Sequence, residues 1–157
     1  MKNNSLQLYA VWMKMALNEA RKAFNEKEVP VGAVAVLNNK VIARAHNRSI
    51  ALNDPSAHAE ILLLRKLGKK LKNYRLNDII IVTTLEPCPM CTGALIHARI
   101  KMVVFGAKDP KCGACGSVLR LNNCKELNHK LDVIDSIEKT KCRDILQDFF
   151  KHKRKKK

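Results

Sequence analysis

The sequence has no long hydrophobic run. Its longest apolar stretches, residues 61–64 and 79–82, are far shorter than the roughly 20 residues that a membrane-spanning helix needs. Residues 1–5 also lack the apolar stretch and small-residue cleavage site that mark a secretory signal. We therefore expect a cytoplasmic protein without a membrane span.

Aromatic and acidic residues are also scarce. One Trp, two Tyr and four Phe are too few for a stacking platform with many rings. Only 14 Asp and Glu stand against 30 Lys and Arg, and the resulting net charge of +16 favours a polyanionic partner, with nucleic acid first. Residues 151–157 hold six of these cations, but the excess persists without them. A solvated run that only aids solubility remains the alternative for this tail.

The chain contains no internal repeat and no linker that would divide it. Its 157 residues therefore predict one domain, residues 1–150, followed by a basic tail, residues 151–157. The six cysteines are expected to be free thiols or metal ligands, because disulfide frameworks are typical of shorter, exported chains.

Hydrophobic periodicity predicts an α/β fold. Apolar residues at three- and four-residue spacing indicate a helix over residues 8–24, and strand-like runs at 33–37 and 41–45 flank a turn, which predicts a hairpin. The remaining pattern predicts a helix between a start signal at 54–56 and a stop signal at Gly68, strands at 79–84, 101–106 and 133–137, helices at 90–99 and 138–151, and a loop at 107–117. A three-layer α/β/α domain with a central mixed sheet follows.

Cys88-Pro89-Met90-Cys91 is a C-x-x-C motif at a predicted strand-to-helix junction. Free backbone N–H groups and the helix dipole at such a junction favour thiolate over thiol. Taken alone, the motif indicates a metal site, a redox pair or two incidental thiols with no clear preference.

His58-Ala59-Glu60 precedes the cysteine pair by about thirty residues and favours the metal. One His and two Cys give three protein ligands, so a tetrahedral Zn²⁺ would keep its fourth position for water, as catalytic sites do. The metal would lower the pKa of that water toward 7, and Glu60 would move protons to the ring nitrogen and the departing ammonia. Residues two apart on a helix point to opposite sides, so His58 and Glu60 converge only near a helix end.

Each of these residues also has a plain structural interpretation. His58 can be a satisfied histidine at a helix start, and Glu60 can complement the dipole of the first helical turn. The combination of His-x-Glu with Pro-Cys-x-x-Cys is nevertheless the signature of zinc deaminases that act on nucleobases. The sequence therefore predicts one Zn²⁺ per chain and a hydrolytic deaminase.

The chain resembles the bacterial tRNA-specific adenosine deaminases over nearly its full length. The matching blocks are residues 31–34, 54–60, 73–76, 84–91, 93–100, 103–117 and 148–150. The resemblance implies a homodimer of the cytidine-deaminase fold that hydrolyses the cyclic amidine of adenosine to inosine at the wobble position of a tRNA anticodon, most often in an arginine tRNA.

The resemblance also implies the residues that bind the substrate. Asn47 would line the base pocket, while Asp109, Lys111 and the Phe149-Phe150 pair would lie near the flanking anticodon nucleotides. Single-stranded RNA loops are recognised by such polar, cationic and aromatic contacts. The structural alternatives are a strand end for Asn47, a turn at Asp109, and a core position for one phenylalanine.

Cys112 and Cys115 depart from the family pattern, in which small residues without thiols are more usual, and so does Pro89, often an aliphatic residue. A cysteine as fourth protein ligand would close the metal site, although thiols in a glycine-rich loop are commonly inert.

Two other functions compete with the tRNA deaminase. A deaminase of free cytidine, cytosine or guanine would gain nothing from the charge, and a structural-zinc RNA-binding protein would leave Glu60 without a role.

Overall fold

The computed structural model describes residues 2–155 and contains a five-stranded sheet with helices on both faces. In chain order the elements are α1 (Lys2–Asn25), β1 (Gly32–Leu37), β2 (Lys40–His46), α2 (Ala59–Leu71), β3 (Ile80–Leu85), α3 (Pro89–His97), β4 (Met102–Ala107), a 3-10 turn (Leu121–Asn123), β5 (Asp132–Ile134) and α4 (Lys139–Lys155). Within these residues, none of the helices has both the length and the apolarity that crossing a bilayer requires.

The sheet is mixed, with the strand order β2-β1-β3-β4-β5. β1 pairs antiparallel with both β2 and β3, whereas β4 pairs parallel with β3 and β5. The predicted hairpin is confirmed. Asn38 and Asn39 in its turn have φ angles of 49° and 60°, a left-handed conformation that asparagine tolerates better than most residues.

Both faces of the sheet are buried, which gives three layers. Along β1, Ala33 and Ala35 face the core beneath α2 and α3, while Val34 and Val36 face the core beneath α1 and α4. This alternation is the two-residue period of a strand with both sides covered. The predicted α/β/α architecture is therefore confirmed.

The start and end of α2 differ from the prediction. The Asp54 carboxylate accepts hydrogen bonds from the backbone N–H and the hydroxyl of Ser56, at 2.8 and 2.6 Å, so the chain turns there and does not yet begin a helix. The helix starts at Ala59 and passes through Gly68. It ends where Lys72 adopts a left-handed conformation, with φ 51°.

The last helix extends further than the sequence indicated. α4 continues to Lys155, so residues 151–155 prolong the helix with Lys, His and Arg side chains. Residues 156 and 157 of the predicted tail lie outside the described residues. No helix end marks the predicted boundary at residue 150, and the division into domain and tail stays a prediction.

Candidate active site

Three side chains that could bind a metal ion meet beyond the carboxyl end of β3. Cys88 caps the start of α3, Cys91 lies in the first turn of that helix, and His58 caps the start of α2. Their ligand atoms all lie within 4.8 Å of one another. The His58 Nδ1 atom is 3.7 Å from the Cys88 sulfur and 3.5 Å from the Cys91 sulfur. One nitrogen and two sulfur atoms are thus placed so that they could hold a metal ion.

The three side chains shift one another's pKa values through hydrogen bonds. The pKa of Cys88 is lowered to about 4, because the Cys91 thiol and the His58 ring both hydrogen-bond to its sulfur. The same contact with Cys88 raises the pKa of His58, and holding its proton against Cys88 raises the pKa of Cys91. A metal ion binds thiolates and a neutral imidazole, so it would replace these protons.

Glu60 lies beside the three donors but does not belong to their group. Its Oε1 atom accepts a hydrogen bond of 2.9 Å from the Thr83 hydroxyl, and its Oε2 atom is 3.5 Å from the Cys91 sulfur. The side chain is buried, and this burial raises the pKa of the carboxyl group. A carboxyl group whose pKa is raised by burial suits proton transfer near neutral pH.

The two-residue spacing of His58 and Glu60 is explained by the helix start. His58 has an extended backbone, with φ −72° and ψ 154°, and stands outside the helix, whereas Glu60 is the second residue inside it. On a continuous helix the two side chains would diverge. The expectation that they converge only at a helix end is confirmed.

A cavity of about 320 Å³ opens onto these residues. Besides the donors and Glu60, it is lined by Glu28, Val29, Val31, Asn47, Ser49, Ile50, Leu85, Glu86, Asp109 and Cys112. Its volume lies at the lower end of the range for small-molecule pockets. Asn47 lines it as predicted, and its Oδ1 atom accepts the backbone N–H of Ala59 at 2.8 Å. The amide NH₂ group is thereby left for a ligand.

Glu28, which the sequence analysis did not single out, holds one wall of the cavity. Its carboxylate is buried and accepts the backbone N–H groups of Ile50 at 3.2 Å and Ala51 at 2.8 Å. These bonds attach residues 48–52 to the segment that connects α1 with β1. The available signal was an acidic residue directly before an apolar segment, which is equally typical of a solvated charge.

Glu86 holds the opposite wall and was likewise missed. It is buried, and its carboxylate accepts the backbone N–H groups of Asp109 at 3.0 Å, Cys115 at 3.1 Å and Ser117 at 3.0 Å, together with the Ser117 hydroxyl. A Cβ atom on Gly113 would collide with this carboxylate, so the loop can wrap it only with glycine there. One side chain therefore organises the 109–117 loop.

Of the two substrate-binding residues predicted in this loop, Asp109 lines the cavity and Lys111 does not. Asp109 lines the cavity, and its Oδ1 atom also accepts the backbone N–H groups of Lys111 at 2.9 Å and Cys112 at 3.1 Å, so it forms the anticipated turn as well. Lys111 is exposed and is not among the lining residues. In the chain it stands between Asp109 and Cys112, which do line the cavity.

Phe149 takes the core position that was the alternative for one ring of this pair. It is buried, and its ring meets that of Phe24 edge to face, with centroids 5.7 Å apart. Phe150 points away from the core and is 46% exposed. Adjacent helix positions cannot share a face, so α4 buries one ring and leaves the other half-exposed, with the two ring centroids 5.4 Å apart. Of the pair, only Phe150 presents ring surface to solvent.

The two additional loop cysteines do not complete the metal group. Among residues 2–155, no fourth His, Cys, Asp or Glu joins His58, Cys88 and Cys91. Cys115 is buried, with its sulfur 3.5 Å from the Thr92 hydroxyl, and burial raises the pKa of its thiol to about 11. Cys112 is exposed at the cavity. The three-donor arrangement matches the open position of a catalytic site.

Comparisons with known proteins identify similar chains. A family model described as MafB19-like deaminase matches residues 9–154. A tRNA-specific adenosine deaminase of Bacillus subtilis is 43% identical over 147 residues, covering 94% of this chain and 91% of that protein. One from Haemophilus influenzae is 44% identical over 146 residues, covering 92% and 84%. A structure solved in a study of A-to-I editing by tRNA:A34 deaminases has a TM-score of 0.84 at 43% identity, covering 86% of this chain and 98% of that one.

Proposed function

This chain belongs to the tRNA-specific adenosine deaminase family, and on that premise we propose that it converts adenosine to inosine at the wobble position of a tRNA anticodon. The observation that carries the proposal is the placement of the buried Glu60 carboxyl beside three convergent metal donors. Both face a cavity of about 320 Å³. Hydrolytic deamination needs a nucleophilic water, a proton carrier and a pocket for the base, and the cavity supplies places for all three.

Zinc is the metal that fits the donors. His58, Cys88 and Cys91 provide one nitrogen and two sulfur ligands, a set that zinc favours and that leaves one coordination position open. We therefore propose one Zn²⁺ per chain. Zinc, when bound, supplies at neutral pH the nucleophile that hydrolysis requires, by lowering the pKa of a water toward 7.

The proton transfers fall to Glu60. Its carboxylate takes a proton from the attacking water and delivers it to the ring nitrogen. It then takes the second proton from the hydroxyl group now attached to the ring carbon and passes it to the leaving amino group, which departs as ammonia. The ring keeps the oxygen of the water as a carbonyl. The Thr83 hydrogen bond fixes the carboxylate, and the raised pKa of Glu60 makes it able to hold the proton between the two transfers.

The base and its neighbours are recognised by the cavity walls and rim. Asn47 can donate its amide N–H groups to a base in the cavity. Asp109 lines the same cavity and Lys111 follows it in the chain, so we propose both as contacts for the flanking nucleotides. The exposed ring of Phe150 is a candidate stacking surface. The net charge of +16 supplies attraction for an RNA backbone that a free nucleoside cannot use.

The finer features of this proposal rest on the family resemblance. They are an arginine tRNA as substrate, a homodimer as the working assembly, and the cytoplasm as the place of action. Exposed apolar side chains at Val118 and Leu119, 52% and 45% accessible, support a second copy of the chain, because association would cover them.

Inosine formation on defined RNAs tests the proposal. The substrates are an anticodon stem-loop with adenosine at the wobble position, the same loop with cytidine there, and free adenosine, cytidine and guanine at equal concentration. We expect turnover of the adenosine loop alone, because remote RNA contacts position the reacting base. Faster turnover of a free base or nucleoside would refute the tRNA assignment. Glu60→Gln protein, purified in parallel, controls for contaminating deaminases.

A further inference from the structure

A second cavity, also of about 320 Å³, lies on the outer side of α2. Its walls are the end of β2, the following backbone and one face of α2. The lining residues are Ala45, His46, Arg48, Leu52, Leu62, Arg65, Lys66 and Lys69. Four of these side chains are cationic at neutral pH, and none of the lining residues is a carboxylate. The site described above does not use this cavity.

The cationic residues follow one face of α2, the helix that begins directly after His58. Leu62, Arg65 and Lys69 recur on this face at three- and four-residue spacing, and we call it the cationic stripe. A rise of 1.5 Å per residue places Lys69 about 16 Å along α2 from His58. Because phosphates rise by about 3.4 Å per nucleotide along one strand of a duplex, the stripe has the length of about five nucleotides.

The two cavities share one wall, residues 47–52. Asn47, Ser49 and Ile50 line the first cavity, while Arg48 and Leu52 line the second. The wall is held in place: the Arg48 backbone N–H donates to the carbonyl of Ala57 at 3.0 Å, and Glu28 binds the backbone from the other side. A nucleic acid strand with one base in the first cavity therefore needs to cross only this wall to reach the second.

Three of the four cations are anchored by other groups. Lys66 donates to the carbonyl of Arg44 at 2.7 Å, Arg65 donates to Asp54 at 3.2 Å, and the Arg48 Nε atom pairs with Glu26 at 3.3 Å. Each retains further N–H donors for a ligand. Anchored donors lose less conformational entropy on binding, which favours a ligand with several acceptors.

Edge protection explains only part of this arrangement. β2 is one of the two edge strands, and Lys66 and Lys70 donate hydrogen bonds to its carbonyls at Arg44 and Ile42, as lysines on sheet edges often do. Lys69 does not protect the strand edge, since it makes no hydrogen bond or ion pair within residues 2–155. Its exposed ammonium is therefore available to a ligand that enters the cavity.

We propose that this second cavity binds backbone phosphodiesters of the RNA whose wobble base occupies the first cavity. The proposal rests on the function proposed above and adds where the strand runs, along the outer face of α2. Phosphate oxygens can accept hydrogen bonds from the planar guanidinium groups of Arg48 and Arg65, and they can pair with the ammonium of Lys69.

Salt dependence of binding tests the proposal with variants of zinc-loaded, full-length protein. Lys69→Ala and Lys69→Glu change the unpartnered cation. Lys101→Ala is the matched control, because Lys101 is exposed and precedes β4 at the opposite end of the sheet from the metal group. The measurement is the dissociation constant of a catalytically inert stem-loop, with cytidine at the wobble position, between 50 and 200 mM salt.

We expect Lys69→Ala to weaken binding and to reduce the magnitude of the salt slope by about 0.7 for each single-strand phosphate that Lys69 neutralises in the wild type. Lys69→Glu should have the larger effect and Lys101→Ala none. Slopes for both Lys69 variants equal to that of the control would overturn the proposal. So would an equal loss of affinity for a trinucleotide, which is too short to reach Lys69. Because binding is measured without turnover, failure of the wild type to form inosine would refute only the function.

Discussion

The two halves of the candidate site are built in different ways. The chemical half stands on helix starts: His58 and Cys88 cap two helices, and Cys91 and Glu60 lie in their first turns. The recognition half consists of two irregular segments, 48–52 and 109–117, each tied down by one buried glutamate. Rigid elements hold reacting groups more accurately than loops do, whereas loops can vary without disturbing them. Metal binding and substrate choice should therefore be separable by mutation.

Removal of a donor should have the largest effect. His58→Ala leaves two thiols, which cannot hold zinc with the same geometry, so we expect loss of both the metal and the activity. Elemental analysis with an inosine assay measures the two together. Full zinc content in an inactive His58→Ala protein would mean that His58 acts on the substrate and not on the metal.

Glu60→Gln should separate chemistry from metal binding within the same half. The amide has the shape of the carboxyl group but cannot carry the proton, so kcat should fall by about 100-fold to 10,000-fold, the usual contribution of a general acid–base. Zinc should remain near one per chain. A protein that loses zinc with this change would show that Glu60 belongs to the ligand set.

Glu86→Gln should disturb the 109–117 loop of the recognition half and leave the metal donors and Glu60 unchanged. One acceptor oxygen becomes an NH₂ group facing backbone N–H donors, and an unsatisfied buried donor costs about 1–3 kcal/mol. We expect a higher KM for the stem-loop with unchanged zinc content. Glu126→Gln is the control, because Glu126 is exposed and an exposed substitution changes stability by less than about 0.5 kcal/mol. A KM that does not move would leave the 109–117 loop without influence on substrate binding.

The loop cysteines should give the smallest effect. Cys112→Ser with Cys115→Ser should leave zinc content and rate nearly unchanged, since neither thiol joins the metal group. In the wild type at pH 8, a thiol reagent should label Cys112 readily and Cys115 hardly at all. The pKa of Cys115 is raised to about 11 by burial, so its thiolate forms only as the pH rises toward that value. A double variant that purifies without zinc would restore the closed-site alternative.

The chemical half could be predicted from the sequence because its residue types carry the chemistry. The spacing of Cys88 and Cys91 is compatible with a metal, and His58 with Glu60 supplies the third ligand and the proton carrier that decide between a metal site and the alternatives. The mixed sheet followed from the hairpin and the alternating elements. These features depend on local pattern, which a single sequence contains.

The recognition half could not be predicted in the same way. Glu28 and Glu86 act through backbone N–H groups more than twenty residues away, and no side-chain pattern records such bonds. The choice between Phe149 and Phe150 depended on how α4 is rotated against α1, which adjacent residues do not encode. The start of α2 was misplaced because Asp54 forms a turn before the helix with the same residues that often cap one.

Stepwise return of zinc to metal-free protein tests most directly whether the three-donor group is the catalytic centre. Chelator-treated wild type receives increasing zinc, and inosine is measured on the stem-loop with adenosine at the wobble position. We predict no turnover without metal, a linear rise with added zinc and a plateau at one zinc per chain. Deamination by the metal-free protein, or a protein that binds one zinc per chain and still forms no inosine, would contradict this assignment.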